Sequence, residues 1–266
     1  MRQFICKDKL DSKGRIFIKG KDLRYLSQVL RLTRGDVIDV RFADGSLFPM
    51  EAISFSNKEI VLRKTELSPE KQDVENFVIQ GVTSNAVAQN SVCNDTEFWL
   101  FQFMPKLQKI DIIVRQATEC GVSVIIPVLG DFTQKGGSLD RSDRLDRIVR
   151  EARQQSGSPV DTQVTSVLSL DEALDKWKTY VDTKESSIGF LLNEDPEASD
   201  FLNELLHNHK QVVGLACGCE GGMSQSEIEK LQKAGFCNLH LKTNVLRAET
   251  AAIYGIAAVQ TIIGLK

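Results

Sequence analysis

Between Glu97 and the end of the chain, short apolar runs alternate with longer stretches of helical periodicity, and this alternation limits the possible folds more than any other feature. The runs are FWLFQF, VSVIIPV, SIGFLLN, QVVGLAC and FCNLHLK. Between and after them lie IDIIVRQATECG, SLDRSDRLDRIVREARQQ, SLDEALDKW, EASDFLNELLHN, SQSEIEKLQKAG and AETAAIYGIAAVQTII, all with helical patterning. Strands separated by helix-length segments predict a largely parallel sheet with helices on its faces, an α/β fold.

The start of the chain follows another pattern. KDLRYLSQVLRL puts Leu23, Leu26 and Leu30 at helical spacing, with Arg24, Gln28 and Arg31 off that stripe. VIDVRF and LFPMEAISF flank Ala43-Asp44-Gly45-Ser46, a hairpin signal, and EIVLRKTEL continues the meander. A β-rich unit of this length is expected to close as a small barrel. The segment SPEKQDVENFVIQGVTSNAVAQNSVCNDT is polar apart from FVIQGV and reads as a connection with room for one strand. The expected organisation is a barrel over residues 1–70, a connecting segment over 71–96 and an α/β domain over 97–266.

Charge decides what kind of partner this chain can attract. With 33 Lys and Arg against 36 Asp and Glu, the net charge is -3, so any RNA binding must rest on a local basic face. The N-terminus, MRQFICKDKLDSKGR, carries charge where a signal peptide needs an apolar core. No run approaches the roughly 18 apolar residues of a membrane span, so a cytoplasmic protein with no membrane partner is expected. Six cysteines are too few for a disulfide framework, and Cys6, Cys93 and Cys120 read as structural thiols.

The stretch CGCEGGMSQSE, Cys217 to Glu227, carries the densest chemical signal. Ser224 and Glu227 form an S-x-x-E capping box, which makes Gly218, Gly221 and Gly222 part of a strand-to-helix turn. Open α/β sheets place their ligand crevice at such turns, although a tight turn with no ligand has the same sequence. A phosphate cradle fits poorly, because Gly-x-Gly-x-x-Gly is absent and Glu220 puts negative charge where phosphate would sit. Cys217, Cys219, Cys237 and His240 have the residue types of a zinc set, but Cys237 and His240 on one strand would point to opposite faces, so no metal is expected. A third stretch, NLHLKTNVLRAETAAIYGIAAVQ, runs from a strand ending at Leu241 or Lys242 into an apolar helix with Arg247, Glu249 and Thr250 at its start. These groups would lie beside the glycine loop if the two strands are neighbours.

Together, CGCEGGMSQSE and LKTNVLRAETAA resemble the signature of the bacterial 16S ribosomal RNA uridine-N3 methyltransferases, members of the trefoil-knotted SPOUT superfamily that act at uridine 1498. QVLRL, FADGS, ATECGVSVIIPV and EARQQSG resemble other family segments in the same order, along nearly the whole chain. The resemblance implies an N-terminal PUA-like β-barrel, a C-terminal knotted SPOUT methyltransferase domain, S-adenosylmethionine as cofactor, a homodimer, and small-subunit ribosomal RNA or the assembled subunit as partner. The cofactor would meet Gly218, Glu220, Gly221, Gly222, Leu241, Leu246, Thr250 and Ala251, with Leu192 and Asn193 as a third wall. Arg247 would stabilise negative charge on the uracil carbonyls, and Glu249 would orient Arg247 or accept the proton. Arg24, Arg31, Lys135 and Arg153 would contact RNA phosphates.

Several positions depart from that family. Cys219 replaces a usual proline, and Gln116, Phe132, Ser158 and Asn244 stand where the family is commonly basic. Either Arg115, Lys135, Lys242 and Arg153 compensate, or RNA recognition has drifted toward another RNA position or toward binding without catalysis.

Overall fold

A computed structural model describes residues 3–56, 58–65, 96–133, 141–193, 210–241 and 243–264. Most of the expected connecting segment with FVIQGV, the expected helix EASDFLNELLHN, Cys93, Lys135 and Lys242 lie outside the described residues. The chain divides into two compact units, the first built from residues up to Asn90 and the second from Ser91 onward, with Gln154–Gly157 grouped with the first.

The first unit is a five-stranded sheet of β1 (Gln3–Ile5), β2 (Arg15–Ile18), β3 (Val37–Arg41), β4 (Leu47–Phe55) and β5 (Ile60–Lys64). Its order is β1-β3-β4-β5-β2, with β1 parallel to β3 and the other pairs antiparallel. The Asp-Gly turn joins β3 to β4 as its sequence implied. Gly45 takes φ 83°, and the Asp44 carboxylate accepts from the Ser46 amide at 2.9 Å and from its hydroxyl at 2.6 Å. Phe4, Ile16, Leu26, Val40, Met50, Ile60 and Leu62 form the core on one face. The sequence helix is shorter than expected: α1 (Gly20–Arg24) passes into a π-helical turn over Tyr25–Val29, and Arg31 adopts φ 53°. The Leu30 amide reaches back to the Tyr25 carbonyl at 3.0 Å, which brings Leu26 inward and ends the helix before Arg31.

The second unit is a parallel sheet of β6 (Glu97–Phe103), β7 (Val124–Leu129), β8 (Gln163–Val164), β9 (Leu168–Ser169), β10 (Ser187–Leu192), β11 (Val212–Cys217) and β12 (Phe236–Leu239). The order is β12-β10-β11-β6-β7-β8, with β9 also on β7. Successive residues of each strand face opposite sides. Phe98, Leu100, Ile125, Phe190, Val213 and Leu215 pack under α2 (Leu107–Glu119), α3 (Ser142–Ser156) and α6 (Ala248–Gly264). Trp99, Phe101, Phe103, Ile126, Leu191 and Ala216 pack under α4 (Leu170–Val181) and α5 (Gln225–Lys233). On this second face Trp177 meets Phe101 edge-on with ring centres 5.6 Å apart, and Phe101 meets Phe236 at 5.3 Å. Each such fully buried ring contributes about 1.5–3 kcal/mol relative to exposure.

One condition is not met and one expectation changes. β10 lies between β11 and β12, so the strands leading to the glycine loop and to Arg247 are not neighbours. β12 also ends at Leu239, short of Leu241, so His240 stands outside the strand. Because all these strands run the same way, the loops after β6, β7, β10, β11 and β12 emerge along one carboxyl edge, and this edge gathers the chemistry.

Candidate functional site

The glycine loop leaves β11 at Cys217 and folds back on itself. Gly222 takes φ 76°, its amide donates to the Cys219 carbonyl at 3.0 Å, and the buried Cys219 thiol donates to the Gly222 carbonyl at 3.5 Å. A Cβ on Gly218 would come within 2.8 Å of the Gly222 carbonyl carbon, so the loop closes only with glycine there. Cys219 therefore closes this loop from within. β10 separates Cys217 from Cys237, and among the described residues no three His, Cys, Asp or Glu side chains gather to hold an ion.

The capping box is present as read. The Glu227 amide donates to Ser224 Oγ at 3.3 Å, and Glu227 Oε2 accepts from the Ser224 amide at 2.7 Å. Glu227 is buried because it also binds beyond its own helix. Its Oε1 accepts the Asp131 amide at 2.7 Å, tying α5 to the loop after β7. Gln102, fully buried near the end of β6, donates to the Cys217 and Gly218 carbonyls at 3.3 and 3.2 Å and fastens the start of the glycine loop.

Lys109, in the first turn of α2, links the predicted cofactor loops. Its ammonium lies 3.3 Å from the Glu220 carboxylate and 2.9 Å from that of Glu249, so one cation joins the glycine loop to the first turn of α6. Glu220 also accepts the Lys106 amide at 3.3 Å, capping an α2 N-terminus that lacks a cap of its own. Partial burial works against the charged Glu220, but the backbone amides and Lys109 outweigh it and hold its carboxyl below the usual range. For Glu249 the Lys109 hydrogen bond is the chief cause of a lowered pKa, with Arg247 adding to it. The same bond to Glu249 raises Lys109 above the ordinary lysine range.

The other predicted cofactor residues take these places. Leu192 and Leu241 pack against the apolar core beneath α6, and a Leu192 methyl lies where a Cβ on Gly255 would point, at 3.0 Å. The Asn193 amide donates to the Leu239 carbonyl at 3.2 Å, linking the loop after β10 to the end of β12. Leu246 is half-buried, Thr250 is exposed, and the Ala251 amide donates to the Arg247 carbonyl at 2.7 Å, which opens α6. The Arg247 side chain is exposed, and the carboxylate of Glu249 is paired with Lys109.

Of the predicted RNA contacts, Arg24 and Arg31 are exposed on the first unit and Lys135 lies outside the described residues. Arg153 needs correcting. It is 9% exposed and its guanidinium is bound to Asp161, so it is a structural cation rather than a surface phosphate contact. Among the departures, Ser158 is buried, while Gln116, Asn244 and the suggested substitute Arg115 are exposed.

Sequence reasoning missed Lys109 and Gln102. Lys109 falls just before the helical run IDIIVRQATECG, and nothing local marked two partners far along the chain.

Known proteins supply an independent comparison. The chain is 24% identical over 265 residues to the ribosomal RNA small subunit methyltransferase E 2 of Borreliella burgdorferi, covering 97% of this chain and 96% of that protein. It is likewise 24% identical over 272 residues to the ribosomal RNA small subunit methyltransferase E of Bacillus subtilis, covering 96% of this chain and 93% of that one. Its fold matches the crystal structure of a ribosomal RNA small subunit methyltransferase E from Neisseria gonorrhoeae bound to S-adenosyl methionine, with a TM-score of 0.76 at 21% identity over 98% of each chain. Residues 93–260, a span that takes in the whole carboxyl edge with Lys109, the glycine loop and the start of α6, match the RNA methyltransferase domain family, and the chain belongs to that family.

Proposed function

We propose that this chain is an S-adenosylmethionine-dependent methyltransferase acting on N3 of a uridine in small-subunit ribosomal RNA, position 1498 by the family resemblance. It works in the cytoplasm as a homodimer, on the RNA or the assembled subunit. Its sheet of parallel strands forms the trefoil-knotted SPOUT domain, and its first unit serves as a PUA-like RNA-binding barrel.

The observation that carries this reading is the Lys109 bridge between Glu220 and Glu249, which brings the two predicted cofactor loops together although β10 separates their strands. The donor set suits the cofactor. Two carboxylates on this edge suit a cationic sulfonium better than a phosphate, with Lys109 and Arg247 balancing their charge. When bound, S-adenosylmethionine supplies the methyl group. The backbone of Gly218, Gly221, Gly222 and Leu241, with Leu192, Asn193, Leu246, Thr250 and Ala251, would hold it, and Lys109 keeps the walls in register. Arg247, exposed beside this site, would stabilise charge on the uracil carbonyls. Glu249 fits a positioning role: a carboxylate held below its usual pKa by Lys109 is a poor acceptor for an imide proton. Dimerisation is supported by α6, which is apolar along its length yet leaves Tyr254 48% exposed.

Nucleoside mass spectrometry of small-subunit ribosomal RNA tests the reaction. N3-methyluridine should vanish on deletion of the gene and return when purified protein and S-adenosylmethionine are added. Its persistence in the deletion strain refutes the assignment. Arg247→Ala should abolish methyl transfer while calorimetry finds cofactor affinity largely intact.

A further inference from the structure

Phe132, in the loop after β7, is half exposed on a segment that is otherwise firmly fixed. On one side the Asp131 amide donates to Glu227 at 2.7 Å, and the Asp131 carboxylate accepts the Ser224 hydroxyl at 2.6 Å. On the other, the Thr133 amide returns to the Gly130 carbonyl at 3.0 Å, and the Thr133 hydroxyl accepts the Gly130 amide at 2.9 Å. The Phe132 side chain lies against Gly221: a Cβ on that glycine would sit 3.1 Å from Phe132 Cβ and 3.3 Å from its Cγ. A rigid, outward-facing ring therefore stands on the carboxyl edge in contact with the glycine loop. A ring held in water gains little from burial in the chain's own core, so its use lies in what it can cover.

We infer that Phe132 is a stacking platform for a nucleobase of the RNA substrate, a positioning and specificity residue beside the methyl-donor pocket. This rests on the RNA methyltransferase reading above. A base has an apolar face and a polarisable π-system whatever its sequence, and stacking on an exposed aromatic is worth enough to hold an unpaired nucleotide. The ring is uncharged, so its contribution differs in kind from that of Arg24 or Arg31: it adds affinity without releasing counterions.

The full-length protein and its Phe132→Ala, Phe132→Tyr and Phe132→Trp variants are compared on unmodified small-subunit ribosomal RNA by filter binding and steady-state methyl transfer, with cofactor affinity from calorimetry. Phe132→Ala should weaken RNA binding and raise KM for RNA by roughly five- to a hundred-fold. The slope of affinity against salt, kcat and cofactor affinity should stay near wild type. Phe132→Tyr and Phe132→Trp should retain binding, and the introduced indole should lose emission when RNA is added. Wild-type RNA affinity in Phe132→Ala, an indole indifferent to bound RNA, or a loss confined to cofactor affinity each overturns the inference while the methyltransferase assignment stands. A wild-type protein that neither binds nor methylates this RNA brings down both.

Discussion

Lys109 carries the most consequence of any single side chain on the carboxyl edge, because it is the only described cation that touches both proposed cofactor walls. Lys109→Met should lower S-adenosylmethionine affinity about three- to ten-fold, within the range of partly screened ion pairs, with Lys109→Arg restoring most of it. The pH dependence follows from the directions of the shifts. The carboxylates of Glu220 and Glu249 are held below their usual range, so their stabilisation is present above the ordinary carboxyl pKa and is lost as pH falls through the lowered ones. Lys109 is raised, so its share is present below the ordinary lysine pKa and is lost as pH rises through the raised one. The difference in thermal midpoint between wild type and Lys109→Met should therefore be flat through neutrality and shrink toward both extremes of pH. Arg153 teaches the converse lesson. Its sequence context read as a surface cation, but Asp161, beyond the end of α3, turns it inward.

At the scale of elements, α5 depends on its capping box and on what Glu227 does beyond it. Ser224→Ala should cost about 1 kcal/mol in urea unfolding, the usual value of an N-cap. Glu227→Ala should cost more, about 1–3 kcal/mol, because the Asp131 amide loses its acceptor in a buried setting. Gly218→Ala should cost a similar 1–3 kcal/mol through forced contact with the Gly222 backbone. Elements of this size were legible in the sequence: β6, β7, β10, β11 and β12 and the described helices of the second unit each fall on a run or periodicity named above. β1 and β2, with three and four residues, and β8 and β9, with two each, are too short to leave a period. The glycine loop was legible because its cap is local. The strand order was not, since alternation says which face a residue takes and nothing about which strand lies alongside, and so β10 stands between two strands whose adjacency the sequence left open.

At the scale of the molecule, the resemblance in sequence agrees with the RNA methyltransferase domain family that residues 93–260 match, although identity to the relatives quoted is only 24%. Low identity with full-length coverage is what results when the apolar alternation of a sheet is kept and its particular side chains are exchanged. Association belongs to this scale too. Tyr254→Glu, which sets a charge on the exposed side of α6, should convert the proposed dimer to monomer in sedimentation velocity while leaving the circular dichroism unchanged.

The junction of Lys106 and Lys109 with Glu220 also sets a timetable for synthesis. The carboxylate that caps α2 follows the Lys106 amide by 114 residues, and Glu249 comes later still. While the ribosome is making this chain, β6 and α2 must wait through most of the second unit before β11 can slot beside them, a pairing of high contact order and hence slow. A nascent chain cut short before α6 would have its strands but not the Lys109–Glu249 pair, so the proposed methyl-donor pocket would be clamped only once α6 is made.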